Sequence, residues 1–257
     1  MNQIITLLSD WHLRDPYVAM LKGLLLKANP DANVIDITHY VDKFNLLQTA
    51  LLMKSSYSSF PEGSIHLILT NMSLNSTFSP VMLEHKGHYF IGEDNGVFHL
   101  MFGQEVVLNG YQLSDDQKNT LDQIQQWIQL ISDGAMNAEN TKEYLTFKRM
   151  FIQESDYNAE SQQIEGAIVY IDAFNNAITD IPVKMFEEKG QQRPFTATIH
   201  SKGVWKMTRF FHHYESADDE MYLCSNALGF LEVASFQSDV AILADLEPGD
   251  KVIIQFE

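Results

Sequence analysis

The sequence predicts two domains of different class: an α/β N-terminal domain with a mostly parallel sheet, and a small all-β C-terminal barrel. Two observations support this division. Residues 1–155 alternate strand and helix patterns, whereas residues 164–257 carry short strands of alternating apolar and polar residues. The polar residues 155–163 separate the two patterns and mark the predicted boundary.

The N-terminal half follows a strand–helix–strand–helix–strand order, which favours parallel strands joined by right-handed crossovers. The predicted elements are strand Ile4 to Leu8, helix Tyr17 to Ala28, strand Asn33 to Thr38, helix Asn45 to Tyr57 and strand Ile65 to Thr70. A further helix is predicted over residues 114–153, where apolar residues repeat every three or four positions. Ligands of such sheets bind at the carboxyl ends of the strands, where Asp10, His39 and Asn71 fall.

The C-terminal half shows five short runs with the period of a strand, which together indicate a small antiparallel barrel. They are Ala167 to Asp172, Phe195 to His200, Tyr222 to Ser225, Phe230 to Ala234 and Val252 to Phe256.

The charge, hydropathy and cysteine content of the chain limit the classes of partner and the compartment that it fits. Seventeen Lys and Arg against 34 Asp and Glu give a net charge of −17, which repels phosphate backbones and disfavours nucleic acid and anionic membranes as partners. No apolar run reaches 18 residues, so no membrane span is predicted. The single cysteine, Cys224, excludes an internal disulfide and, with no signal peptide recognised, predicts a cytoplasmic protein.

The segment Asp10-Trp11-His12 at the end of the first strand has the Asp-x-His form that begins some dinuclear metallophosphoesterase sites. Such a site needs further Asp, Asn and His ligands at later strand ends. The later segment Gly92-Glu93-Asp94-Asn95-Gly96 supplies no histidine. No metal site is therefore predicted.

A longer series of motifs, spread over nearly the whole chain, carries more information. In the first half they are Ser9-Asp10, Asp15-Pro16-Tyr17-Val18, Val34-Ile35-Asp36-Ile37-Thr38-His39, Phe60-Pro61-Glu62-Gly63-Ser64-Ile65-His66-Leu67 and Asp94-Asn95-Gly96. In the second half they are Asp172-Ala173-Phe174-Asn175-Asn176, Ser225 and Gly229-Phe230-Leu231-Glu232-Val233-Ala234. In order and spacing the chain resembles the S-adenosyl-L-methionine (SAM) hydroxide adenosyltransferase and SAM-dependent chlorinase/fluorinase family.

The resemblance implies a homotrimer that binds SAM or adenosine between the N-terminal domain of one subunit and the C-terminal domain of the next. SAM would be the substrate, with no cofactor. Asp10 matches the carboxylate that accepts hydrogen bonds from both ribose hydroxyls, although it could instead cap the loop that follows. Phe44 falls where the halogenases carry a tryptophan over the nucleoside, although it could be a buried staple of the next helix.

The second half supplies the remaining substrate contacts that the resemblance implies. Asp172, Phe174 and Asn176 match residues that contact methionine and adenine, and Ser225 matches another contact on the methionine side. Each of these residues could instead stabilise a turn of the β-barrel.

The chain departs from the family pattern at the residues that activate the attacking water. The hydrolases use an Asp–Arg–His set; here Asn71 takes the aspartate position, Phe78 or Ser79 the arginine position, and the segments 112–116 and 146–149 hold no histidine. An amide cannot accept a proton from water as a general base. Leu74 replaces the threonine of the halogenase version of this loop, and the family's Thr-Asp-Phe-Gly becomes Ser9-Asp10-Trp11-His12.

Three functions remain open from the sequence. The first is hydrolysis of SAM to adenosine and methionine in an altered site, with Asn71 at the catalytic position. The second is a catalytically silent homotrimer that binds SAM or adenosine. The third is an enzyme that uses another nucleophile, such as a halide, in the same site.

Overall fold

The computed structural model describes residues 3–102, 109–114, 119–150, 155–213 and 220–257. The chain forms two compact units, Met1–Phe151 and Ile152–Glu257. The polar residues 155–163 lie inside the second unit, where Asp156–Asn158 is itself a short strand.

The N-terminal unit contains a seven-stranded mixed sheet. Its strands are β1 (Ile4–Leu8), β2 (Asn33–Thr38), β3 (Ile65–Ile68), β4 (Val81–His85), β5 (His88–Gly92), β6 (Asn109–Leu113) and β7 (Thr141–Tyr144). They are arranged in the order β2-β1-β3-β5-β4-β6-β7. The neighbouring strands β2, β1, β3 and β5 are parallel to one another. The pairings of β4 with β5, β4 with β6 and β6 with β7 are antiparallel.

The expectation of a mostly parallel sheet is therefore not confirmed, since three of the six pairings are parallel and three are antiparallel. The tight turn at Lys86 and Gly87, both with positive φ, reverses the chain between β4 and β5 and makes that pair a hairpin. The parallel part keeps the expected geometry, since the carboxyl ends of β2, β1, β3 and β5 lie along one edge of the sheet.

Helices cover both faces of this sheet, as expected where parallel strands are buried on each side. They are α1 (Tyr17–Ala28), α2 (Leu46–Ser56), α3 (Val97–Phe102) and α4 (Thr120–Ser132). Successive residues of β1 point to opposite faces: Leu7 packs with Leu21 of α1 and Trp127 of α4, whereas Leu8 packs in a separate cluster formed with α2 and α3.

The helix predicted over residues 114–153 is much shorter in the structure. It begins after Asn119, whose side chain accepts a hydrogen bond from the Asp122 N–H, and it ends near Gly134, which has a φ of +60°. A turn at residues 137–140 then leads into β7. Residues 115–118 and 151–153 of the predicted helix lie outside the described residues.

The C-terminal unit contains a nine-stranded sheet. Its strands are β8 (Asp156–Asn158), β9 (Gln163–Ile171), β10 (Ala177–Pro182), β11 (Phe195–His200), β12 (Val204–Met207), β13 (Phe210–Phe211), β14 (Tyr222–Ser225), β15 (Phe230–Ala234) and β16 (Lys251–Phe256). Eight of them run in the order β12-β11-β16-β9-β10-β15-β14-β13, with β8 beside β9.

The described strands form a curled, half-barrel sheet, so the expectation of a barrel is confirmed in part. The strands at its two ends, β12 and β13, are separated in sequence by only Thr208 and Arg209, so the sheet must bend until its edges approach. The described strands include no pairing of β12 with β13. Two short helices contribute to the core of this unit: α5 (Val183–Gly190) packs Phe186 into it, and α6 (Val240–Leu243) packs Val240 and Ala241, whereas Ile242 and Leu243 are exposed. Among the helices of the described ranges, none has the length and apolar character needed to cross a bilayer.

A buried pair of histidines crosses the amino-terminal part of the N-terminal sheet. The Nδ1 atom of His66 on β3 lies 2.7 Å from the Thr6 hydroxyl, and its Nε2 atom lies 3.0 Å from Nδ1 of His88 on β5. Burial, together with the proximity of His88, lowers the pKa of His66 to about 3. Burial likewise lowers the pKa of His88, although the charge of Glu62 opposes this shift.

These histidines predict how stability depends on pH. In the unfolded chain His66 binds a proton near pH 6.5, whereas in the folded protein it stays neutral down to about pH 3. The unfolded state therefore binds more protons in this window, and His66 should lower the free energy of unfolding by about 1.4 kcal/mol per pH unit as the pH falls from 6.5. Urea unfolding at several pH values measures this slope.

The His66→Gln variant should show a shallower slope than the wild type, and His200→Gln, which changes an exposed histidine, serves as the matched control. Equal slopes for wild type and His66→Gln would contradict the prediction.

Candidate functional site

Asp10 occupies the centre of the carboxyl edge of the parallel strands. It follows β1 and is 9% exposed. Its Oδ2 atom accepts hydrogen bonds from the backbone N–H of Asn71, at 3.1 Å, and of Phe44, at 3.4 Å. One carboxylate oxygen thus joins the loops after β1, β2 and β3, and the second oxygen, Oδ1, takes no part in these two bonds.

The backbone around Asp10 is held in an uncommon conformation. His12, Phe44 and Asn71 all have φ between 58° and 64°, a region that residues other than glycine rarely adopt. Such residues cost free energy and persist only where the surrounding contacts hold them. Two of the three donate their N–H to Asp10, so the carboxylate is a direct part of what maintains this geometry.

A chain of polar side chains supports the turn from behind. The Ser9 hydroxyl lies 2.7 Å from Nδ1 of His39, and Nε2 of His39 lies 3.1 Å from the Asp36 carboxylate, which binds Lys22 at 2.6 Å. Burial by itself would raise the pKa of Asp36, but its hydrogen bonds with Lys22 and His39 lower it below the usual value. Ser9 and His39 are both buried, so both belong to the framework that supports this turn.

A pocket of about 320 Å³ opens at this edge. It is lined by Trp11, Tyr17, Met72, Ser73, Leu74 and Asn75. Its size lies at the lower end of the range for small-molecule sites. None of these lining residues carries a carboxylate, an imidazole or a guanidinium group, so the pocket itself offers no strong acid or base.

The loop after β3 is anchored at its far end by α4. The Thr120 hydroxyl donates to the Phe78 carbonyl at 2.6 Å, and the Trp127 indole donates to the Pro80 carbonyl at 3.3 Å. Phe78 is half-buried and packs against the core, whereas Ser79 is exposed. Of the two candidates for the family's arginine position, only Ser79 therefore faces solvent.

The Glu93-Asp94-Asn95 segment follows β5 at the same edge and forms its own network. The Asp94 Oδ2 atom accepts hydrogen bonds from the Tyr144 hydroxyl and the Lys148 N–H, both at 2.8 Å. Burial and the bond to Asp94 raise the pKa of Tyr144 to about 12. Burial also raises the pKa of Glu93, despite the opposing charge of Lys148.

In the C-terminal unit, the turn between β9 and β10 brings together three of the predicted residues. The Asp172 Oδ1 atom accepts hydrogen bonds from the N–H groups of Phe174 and Asn176, both at 2.8 Å. Asp172 therefore serves the turn chemistry considered from the sequence. Phe174 is 76% exposed, Asn176 is buried, and Ser225 lies two strands away with its hydroxyl donating to the His212 carbonyl at 2.9 Å.

The structure thus gathers Asp10, Phe44 and Asn71 in one unit, and Asp172, Phe174 and Asn176 in the other. Phe44 is 68% exposed, so its ring is not the buried staple considered as an alternative. Two larger cavities, of about 460 and 510 Å³, lie in the C-terminal unit, and neither is lined by the residues predicted there.

Sequence reasoning assigned no contact to the Trp11 indole and no partner to Asp94. The signal for Trp11 was available, since it departs from the family pattern beside Asp10. Asp94 and Tyr144 could not be paired from sequence, because 50 residues separate them. In the described part of the chain, no three His, Cys, Asp or Glu side chains converge to hold a metal ion.

Comparisons with known proteins agree with the motifs. Residues 5–130 match the SAM hydroxide adenosyltransferase N-terminal domain, and residues 166–253 match the C-terminal domain of the same family. The chain is 24% identical over 98% of its length to an (R)-S-adenosyl-L-methionine hydrolase of Methanocaldococcus jannaschii, covering 95% of that protein. It is also 31% identical over 31% of its length to a fluorinase of Nocardia brasiliensis, covering 27% of it.

The fold has a counterpart among solved structures. An uncharacterized conserved protein from Thermotoga maritima superposes with a TM-score of 0.80 at 19% identity, covering 98% of this chain and 100% of the other. That likeness concerns the fold alone. Because both family domains match in order and together span most of the sequence, the chain belongs to the SAM hydroxide adenosyltransferase family.

Proposed function

We propose that the protein binds SAM with its ribose at Asp10 and splits it with water into adenosine and methionine. The observation that carries this proposal is the geometry of Asp10. Two backbone N–H groups hold Oδ2, and this fixes the carboxylate at the edge where ligands of parallel sheets bind. The remaining lone pairs can accept hydrogen bonds from the two ribose hydroxyls.

The reaction is a displacement at the ribose carbon that bears sulfur. The oxygen of water attacks this carbon, the carbon–sulfur bond breaks, and its electron pair passes to sulfur, which leaves as the neutral thioether of methionine. The attacking water releases a proton to solvent. Because the leaving group starts as a cation and departs neutral, alignment of water and substrate supplies a large part of the rate even without a strong base.

The residues that line the pocket include no general base for water, so a second candidate function is binding without turnover. Asn71 is exposed and cannot accept a proton from water, and no lining residue of the pocket replaces the family's Asp–Arg–His set. A general base contributes about 10²- to 10⁴-fold, so turnover should be slow. The neutral pocket supports the alternative of a protein that holds SAM or adenosine without turnover.

We further propose that the protein is a homotrimer with the complete site at a subunit interface; the family resemblance and exposed apolar side chains on each unit support such an assembly. Tyr17, Met20 and Leu24 form one face of α1, and are 49%, 51% and 38% exposed. In the C-terminal unit, Phe174 and Ile242 are 76% and 66% exposed. Apolar surfaces of this kind mark interaction sites when they are contiguous.

The first prediction concerns turnover. Purified protein incubated with SAM should produce adenosine and methionine in equal amounts above the blank without protein, as followed by chromatography, with a binding titration of SAM and adenosine in parallel. Saturable binding without product would favour the second candidate. Absence of both binding and product would contradict the proposal.

Asp10→Asn should raise the dissociation constants of SAM and adenosine about 10- to 100-fold, because hydrogen bonds to a charged acceptor contribute about 1.5–3 kcal/mol. The amide keeps an oxygen that can still accept the Asn71 N–H. Asp31→Asn makes the same charge change at an exposed turn and should leave both constants unchanged. Equal affinities for Asp10→Asn and the wild type would show that the ribose does not bind there.

The missing acid–base pair can be restored at exposed positions. Asn71→Asp combined with Ser79→Arg should raise the hydrolysis rate about tenfold or more over the wild type, because a carboxylate and a guanidinium can then orient and polarise water. Each single variant is the control, since neither restores the pair. A double variant no faster than the singles would mean that this pair is not what limits the site.

The assembly can be tested at Ile242. Ile242→Asp places a charge on an exposed apolar side chain of α6 and should reduce the mass measured by light scattering from that of three subunits to one. Val204→Asp makes a comparable change on an exposed apolar residue of the edge strand β12 and should retain the trimer. A monomeric wild type would contradict the proposed assembly.

A further inference from the structure

We propose that Trp11 is a positioning residue of this site: its indole fixes the first residues of the loop after β3, and its ring forms a wall of the pocket against the ligand. This inference rests on the proposed binding of SAM or adenosine at Asp10. It concerns a residue at which this chain departs from the family pattern.

The first observation is a hydrogen bond between two loops. Nε1 of Trp11 donates to the backbone carbonyl of Met72 at 2.6 Å, across 61 positions of sequence. The side chain of the phenylalanine in the family pattern has no N–H donor, so this hydrogen bond depends on the tryptophan of this chain.

The second observation is that the Trp11 bond lies next to the bond made by Asp10. Asp10 accepts the N–H of Asn71, and Trp11 donates to the carbonyl of Met72. Two consecutive side chains of the β1 loop therefore hold two consecutive residues of the β3 loop, one through its donor and the other through its acceptor. Asn71 has a φ of 61°, and these bonds help to maintain that costly conformation.

The third observation is that the Trp11 backbone is itself fixed. Its N–H donates to the Ser9 hydroxyl at 3.3 Å, and that hydroxyl is tied to the buried His39 at 2.7 Å. The turn that bears the indole is therefore hydrogen-bonded to the buried framework of the sheet. Through the indole, the Met72 backbone is linked to the same framework.

The hydrogen bonds at both ends of the loop after β3 position the residues that line the pocket. Its far end is bound to α4 through Phe78 and Pro80, and its near end is bound to Asp10 and Trp11. Ser73, Leu74 and Asn75, between these anchors, line the pocket together with Trp11 and Tyr17. Removing the indole N–H should let the near end shift, and the ligand at Asp10 would then lose its alignment with this wall.

The test uses the full-length protein labelled with 5-fluorotryptophan, whose three tryptophans give three fluorine resonances. The Trp11→Phe variant identifies the Trp11 signal. Saturation with SAM or adenosine should shift this resonance and leave that of Trp127, which is fully buried in the core, in place.

The Trp11→Phe variant keeps a ring of the family type and loses only the donor and part of the ring. It should weaken SAM binding about 2- to 10-fold, the range expected for one net hydrogen bond, with a melting temperature close to that of the wild type. The control is Trp205→Phe, which removes an equivalent indole bond, to the Ala244 carbonyl at 3.0 Å in the C-terminal unit, and should leave SAM affinity unchanged.

The outcomes separate this inference from the proposed function. Saturable SAM binding with an unmoved Trp11 resonance, or with equal affinity in Trp11→Phe, would overturn the role of Trp11 and leave the proposed function standing. A melting temperature that falls while affinity is retained would likewise assign Trp11 a purely structural role. Absence of SAM and adenosine binding in the wild type would overturn the proposed function, and this inference with it.

Discussion

The N-terminal site depends on the placement of one carboxylate oxygen. Oδ2 of Asp10 accepts two backbone N–H groups, from Phe44 and Asn71, both in the left-handed region. A charged acceptor makes stronger hydrogen bonds than a neutral one, which helps to offset the cost of that backbone conformation. The same bonds orient the second oxygen, so the loop geometry and the orientation of the Asp10 carboxylate have one physical origin.

The loop after β3 is anchored at both ends, and residues 69–80 carry no charged side chain. Its ends are tied to the Asp10 turn and to α4, and Phe78 packs into the core near the position where the family carries arginine. Asn71 and Phe78 are both neutral, so neither adds a buried charge without a partner to this loop. The exposed Asn71 and the neutral pocket therefore lie on a loop that is hydrogen-bonded at both ends.

Several elements could be predicted from the sequence because their signals are local. The apolar run of β1 and the helical period of α1 depend on neighbouring residues only. The long helix was overpredicted because the apolar period ends at Ile131, before Gly134, where the backbone turns into the left-handed region. The mixed sheet was missed because strand direction depends on pairing between distant segments, which local propensity does not encode.

By itself, the sequence determined the α/β and β division, the family, and the residues that line the carboxyl edge, since these follow from hydrophobic period and from motifs in fixed order. Only the tertiary structure decided that Asp10 binds the Asn71 N–H, that the Trp11 indole reaches Met72, and that Ser79 rather than Phe78 faces solvent. Each of these facts depends on contacts between loops about 60 residues apart or on packing against a core. Such contacts exist only once the sheet has brought the strand ends together.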